Sequence, residues 1–391
     1  MKKTLLALSV LGAFSGAAYA QSSVTLYGII DEGFNFNTNS GGHRLYNLSS
    51  GVVQGSRFGL RGKEDLGGGM KAIFVLENGF DVNSGKLGTG GLLFGRQAYV
   101  GLGSSRFGTV TLGRQYDSVV DYVGQFGAGD QWGGYIVAHP GDLDNFNNLY
   151  RTNNTVKFTS SDFSGFRFGG TYSFGGTAGN FTQNQIWSIG AGYNNGPLAL
   201  GVGYLNARTP SNAGGMFGNN TTSSTPATVT TPVYSGFVSA NSYQVIGAGG
   251  NYTFGAATFG ATYSNVSFRN LGANGATIYH RGADATFNTF DLNFKYQFTP
   301  TFLGGAAFDY TDGSSVALSK GPNAEGAKYF QYSLGLDYFL SKRTDVYLIG
   351  VFQHASGQDS TGKAAVAAIN NITASTSNNQ FTTRIGIRHK F

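Results

Sequence analysis

There is no cysteine among the 391 residues, which excludes disulfide staples, cysteine–zinc sites, iron–sulfur clusters and thiol catalysis. Charge is nearly as scarce: Asp, Glu, Lys and Arg make up 12 % of the chain, against about 25 % in ordinary globular proteins. Seven prolines and no three-residue glycine period exclude a collagen-like helix. The five histidines, His43, His139, His280, His354 and His389, fall mainly in expected loops and read as solvated. None sits in a G-x-S-x-G or H-E-x-x-H pattern, and no EF-hand or zinc spacing occurs, so no enzyme, cofactor or metal is expected. The glycines at 67–69 precede a strand pattern, so they are no phosphate loop. The net charge of +6 comes without a basic run, which argues against nucleic acid. Beyond the first twenty residues no apolar run reaches the ~18 residues of a membrane helix.

What the chain has instead is 62 Gly, 32 Phe and 22 Tyr. A mean hydropathy of −0.13 is too apolar for disorder and too polar for helical spans. Residues 1–20 carry Lys2 and Lys3, an apolar stretch and an Ala18-Tyr19-Ala20 end, the layout of a cleaved export signal. The expected mature unit is a single domain, 21–391.

That unit reads with period two. Phe290, Leu292, Phe294, Tyr296 and Phe298 alternate with Asp291, Asn293, Lys295 and Gln297, and 330–340 repeats the pattern. Seven short links, such as 63–69 and 194–197, alternate with eight longer polar stretches, among them 38–54, 116–152 and 209–241. Fifteen connections imply sixteen strands. The Ser/Thr/Asn/Gly-rich stretch 209–241 reads as a solvated external loop. A soluble sheet of this size would need a second layer and a more charged surface. In a membrane barrel the faces invert: apolar and aromatic side chains meet lipid and small polar ones line the lumen. Closure also pairs the backbone groups that lipid cannot satisfy. The expected fold is therefore all-β, a 16-stranded antiparallel transmembrane β-barrel wide enough to hold water.

Four blocks carry a family likeness. SVTLYGIIDEGF (23–34), GSRFGLRGKEDLGGGMKAIFVLENGFD (55–81), LFGRQAYVGLGSSRFGTVTLGRQYD (93–117) and the ending RIGIRHKF resemble Gram-negative general porins of the beta-proteobacterial type. The resemblance implies an outer-membrane homotrimer of sixteen-stranded barrels, bounded by lipid and lipopolysaccharide and passing ions and small hydrophilic solutes. It also implies a third loop folded into the lumen, and a terminal Phe391 that presents the barrel to its assembly machinery.

Residues that would set selectivity follow from parity and from this likeness. Arg57, Arg61 and Lys63 share one face of a strand whose other face carries Phe58 and Leu60, so they look into the lumen. Lys71 falls on the polar face of the next strand. Arg96 lies in a block resembling one that supplies a constriction arginine, although alternation around it admits either facing. Arg114 and Arg151 flank the long third loop, which carries Asp117, Asp121, Asp130, Asp142 and Asp144 and no Lys or Arg. An acidic loop opposite a basic wall creates a transverse field at the narrowest point. The segment DQWGG (130–134) stands where the family has PEFGG, which leaves open the facing carboxylate: Asp121 and Asp130 come first, Asp117 third. Parity also puts Lys157, Arg167, Lys295, Arg384, Arg388 and Lys390 inside, against Asp291, Asp309 and Asp337. Cations prevail, and a mild anion preference is expected. A substrate-specific channel and an adhesin or receptor barrel are the alternatives.

Overall fold

The computed structural model describes residues 23–219 and 228–391; the expected export signal lies outside them. Seventeen strands among the described residues form one sheet, antiparallel throughout. The first, Ser23–Ser40, pairs with the last, Asn379–Lys390, from Ile29↔Lys390 to Asn37↔Thr382, and this closes the ring. On its other side it pairs with two strands in succession, His43–Ser50 along its later half and Arg57–Gly67 along its earlier half. These two share one position in the wall, so the barrel has sixteen, as the alternation implied.

The facing of side chains follows the period-two pattern. Leu292 is 61 % exposed while its neighbour Asp291 is 1 % exposed, and Leu334 and Ser333 divide in the same way. The outer face is aromatic and aliphatic, and the inner face small or polar, as lipid outside and water inside require. Phe391 exchanges backbone hydrogen bonds with Gly28 on the first strand (both 3.0 Å), so the terminal residue seals the closing seam.

Two polar stretches differ from expectation. Residues 38–54 are not one loop: the first strand continues to Ser40, turns at Gly41 and Gly42 (φ +60° and +100°) and returns as His43–Ser50. The Asn, Thr and Ser residues that surround the short Leu45, Tyr46 and Leu48 pattern hide this hairpin. The wall then breaks at 51–56, where Asp31 replaces the missing strand partner by accepting from Val53 N (3.1 Å) and Gln54 N (2.9 Å). Asp31 also accepts from Tyr347 Oη (2.7 Å) and pairs with Arg384 at 3.0 Å, with both charged side chains fully buried. The described parts of 209–241 are not freely solvated either. Phe217, Tyr234 and Phe237 pack with Tyr243, Phe268 and Tyr279 in a buried aromatic cluster over one end of the barrel.

Candidate pore constriction

The longest connection joins Gly108–Gln115 to Thr152–Ser160. It opens with a one-turn helix, Ser118–Tyr122, because Asp117 caps it: the carboxylate accepts from Val119 N (2.8 Å) and Val120 N (3.3 Å). Val119, Val123, Phe126 and Phe146 are buried, and their partners are inner faces of the wall. Tyr122 lies over Gly190 and Gly192, and Phe146 over Gly247. At the far side Trp132 stacks onto Gly305 and Gly335, where even a Cβ would strike its ring. Further ties run from Asn293 Nδ2 to the Phe126 carbonyl (2.9 Å) and from Gln331 Nε2 to the carbonyls of Val137 and Ala138. The many inward glycines thus make room for a loop lying against the inner wall.

The arginines gather where this loop meets the early strands. Arg96 donates through Nε to Glu77 Oε1 (2.8 Å) and through Nη2 to Tyr116 Oη (3.0 Å). Its inward turn contradicts simple parity, since Val100 and Leu102 on the same side of the pleat face out. The regular strand begins only at Gln97, which frees Arg96 from the alternation. Arg114 likewise has the parity of the outward Leu112. A register shift at Gly113, with φ +136°, redirects it to the Gly95 and Asn219 carbonyls (both 2.8 Å) and to Asn153. Arg151 stands over the Tyr116 ring at 5.6 Å and donates to Asn148 Oδ1 (2.7 Å). Arg57, half-buried, donates to the Gly55 carbonyl (2.8 Å). Burial alone would raise the Tyr135 phenol, but Arg96, Arg151 and Arg57 outweigh it and hold its pKa below the ordinary value. A chamber of about 810 Å³ is lined in part by Arg96, Arg151, Tyr135 and Asp81.

The other candidates lie elsewhere. Arg61 is exposed and stacks on Tyr27 at 5.3 Å, two pleat repeats further along the strand from Arg57. Lys71 sits beside the 67–69 turn, six residues or about 20 Å along its strand from Glu77, so it does not join the group. Of the loop carboxylates, Asp117 is fully buried as a helix cap and also accepts from Asn145 Nδ2 (2.8 Å), so it does not face the bore. Asp121 pairs with Lys157, not with the arginines. Asp130 is exposed, and Arg57 and Arg96 are the cations that act on it; enclosure by loop and wall pushes its carboxyl up to about 6 against their pull.

Sequence reasoning passed over Glu77 as a partner, Tyr116 and Tyr135 as spacers, and His139. The last is not a solvated loop residue: it is 4 % exposed, with Nδ1 at 2.6 Å from Asp144 Oδ2. The alternation that put Asp291 and Asp309 on the inner wall, facing this loop, was the available signal.

A model of Gram-negative porins matches residues 7–358. An outer membrane porin protein of Bordetella pertussis is 33 % identical over 90 % of this chain and 94 % of its own length. The chain belongs to the Gram-negative porin family. Outer membrane porin protein 32 of Delftia acidovorans is 32 % identical to this porin, over 89 % of it and 88 % of the relative. The fold matches the anion-selective porin from Comamonas acidovorans with a TM-score of 0.74 at 24 % identity, covering 95 % and 100 % of the two chains. A trimer form of OmpT from Vibrio cholerae matches with a TM-score of 0.61 at 17 % identity, covering 95 % and 99 %. The porin is thus an outer-membrane β-barrel channel for passive diffusion, and not an enzyme.

Proposed function

We propose that this general porin carries a mild anion preference, set by Arg57, Arg96, Arg114 and Arg151 where the third loop meets the wall and by Asp130 on the loop itself. One observation carries the reading. Among the described residues Arg57, Arg114 and Arg151 make no ion pair, while the loop offers one exposed carboxylate without an ion pair, Asp130. Several other inward charges are paired: Arg384 with Asp31, Arg388 with Asp337 and Asp345, Lys157 with Asp121. The uncompensated charge at the loop is therefore positive, and fixed charge at a constriction biases which ions pass. Arg61 and Lys71 contribute a second, more distant positive region on the same path.

The channel works as a homotrimer of independent pores whose outer faces meet lipid and lipopolysaccharide, and residues 1–20 serve as its export signal. The trimer form of OmpT supports the first part as a structural neighbour. Planar-bilayer recording tests the whole: current should close in three equal steps, and the reversal potential across a KCl gradient should take the sign of chloride permeation. Clear potassium selectivity would overturn the assignment of sign. Terminal sequencing of the mature protein should begin at Gln21.

A further inference from the structure

Strands Ala285–Thr299 and Phe302–Gly313 place Asp291 and Asp309 directly opposite each other, both 1 % exposed on the inner face. Like charges facing across a strand pair repel, and buried carboxylates require a compensating partner. Asn293 Nδ2 serves Asp291 Oδ1 (2.7 Å) and Gln331 Nε2 serves Asp309 Oδ2 (3.2 Å). Of the two remaining oxygens, Asp291 Oδ2 has only a long contact from Ala128 N (3.4 Å), and Asp309 Oδ1 has no hydrogen-bond partner. Both turn toward the same atom on the loop, His139 Nε2, at 3.9 and 4.0 Å.

Those separations are too long for hydrogen bonds. They are close to the edge of a metal coordination shell: with bonds of about 2.0–2.1 Å, two ligands of a tetrahedral zinc ion stand about 3.3 Å apart. A closure of about 0.6 Å in each histidine–carboxylate pair would bring three ligands to coordination distance and leave a fourth position for water. The other imidazole nitrogen supplies an independent sign. Nδ1 is bonded to Asp144 Oδ2 at 2.6 Å, and the same oxygen accepts from Ser264 Oγ (2.6 Å). A carboxylate on the far nitrogen is what fixes the tautomer of a metal-ligating histidine and aims its lone pair.

We propose that His139 Nε2, Asp291 and Asp309 bind one divalent transition-metal ion of the zinc class, which ties the third loop to the barrel wall. With Asp144 on the far nitrogen counted, three carboxylates, a neutral imidazole and a divalent ion sum to −1, against −3 without the ion, in a buried place. The nitrogen ligand favours zinc-class ions over calcium or magnesium, which prefer all-oxygen shells. A proton on Nε2 is the competing occupant; it compensates charge but reaches neither carboxylate at hydrogen-bond distance. The site lies between loop and wall, so it stands whichever ions the pore prefers.

The test uses the full-length protein purified from outer membranes, stripped with EDTA and returned to ZnCl2, beside a sample refolded into detergent with ZnCl2 present. Zinc is counted after gel filtration, and its shell is read by X-ray absorption. One zinc per chain is expected, with imidazole nitrogen and carboxylate oxygens at about 2.0–2.1 Å. Asp309→Asn, which keeps the shape and removes the repulsion, should weaken binding at least tenfold. His139→Gln serves the same purpose should that variant not fold. The proposal is overturned if neither sample retains zinc, if the shell contains no imidazole nitrogen, or if the folded variants bind as tightly as the parent.

Discussion

Asp130→Asn isolates the charge that opposes the arginines. The side chain is exposed and makes no ion pair within 4.0 Å, so the barrel should fold normally and only the field should change. A unit charge about 7 Å from a passing ion contributes ~0.6 kcal/mol in water. Screening over about 10 Å at 0.1 M salt halves this to ~0.3 kcal/mol. Chloride gains what potassium loses, so the permeability ratio should move by ~0.6 kcal/mol, or about threefold toward chloride. At 1 M salt the screening length of about 3 Å cuts the change to about 1.2-fold. Reversal potentials across KCl gradients at both ionic strengths measure it. The same residue sets a pH dependence. Its carboxyl is raised toward about 6, so it is neutral below that value, and acidification through pH 6 should shift the parent toward chloride as the substitution does. The variant should lack that step. No shift at 0.1 M, or one undiminished at 1 M, would refute the placement of Asp130 opposite Arg57 and Arg96.

Three further changes probe the frame that holds this field. Asp117→Ala removes a helix cap and leaves Asn145 Nδ2 without its carboxylate, so the thermal transition should fall by the equivalent of about 1–2 kcal/mol while the reversal potential stays unchanged. Asp31→Ala strands a fully buried Arg384 and frees the Val53 and Gln54 amides; about 3–5 kcal/mol should be lost, read as unfolding at lower urea concentration. Gly305→Ala puts a methyl into the Trp132 ring, costs about 1–3 kcal/mol, and should alter single-channel conductance by displacing the loop.

The barrel was legible because lipid imposes one rule on every strand. Where apolar and polar residues alternate, as at 290–298, the facing of each side chain follows from its number alone. The same rule misleads where the strand is not regular. Arg96 and Arg114 both carry outward parity and both turn in, one because it precedes its strand and the other because Gly113 shifts the register. The second strand's break at 51–56 was invisible for a related reason: a side chain, Asp31, does the work of a neighbouring strand, and no local pattern announces a partner twenty residues away.

The third loop shows the limit most clearly. Five aspartates within one acidic stretch look equivalent in sequence, yet they divide into a helix cap (Asp117), an ion pair with Lys157 (Asp121), a turn brace (Asp142 to the Asn147 and Leu149 amides), a histidine partner (Asp144) and one exposed charge (Asp130). Composition counts all five against the arginine wall and would cancel it. Geometry leaves one. The sign of the constriction therefore depends on how many loop carboxylates are consumed in holding the loop in place. That couples selectivity to folding: freeing Asp121 from Lys157 would leave both charges unpaired beside the bore, with no net change, whereas Lys157→Met would leave Asp121 alone. The latter variant should move the reversal potential toward potassium by a factor comparable to that of Asp130→Asn in the opposite direction. No shift would mean that the Lys157–Asp121 pair is shielded from the bore and that the arginines act against Asp130 alone, whereas a shift toward chloride would refute the electrostatic reasoning.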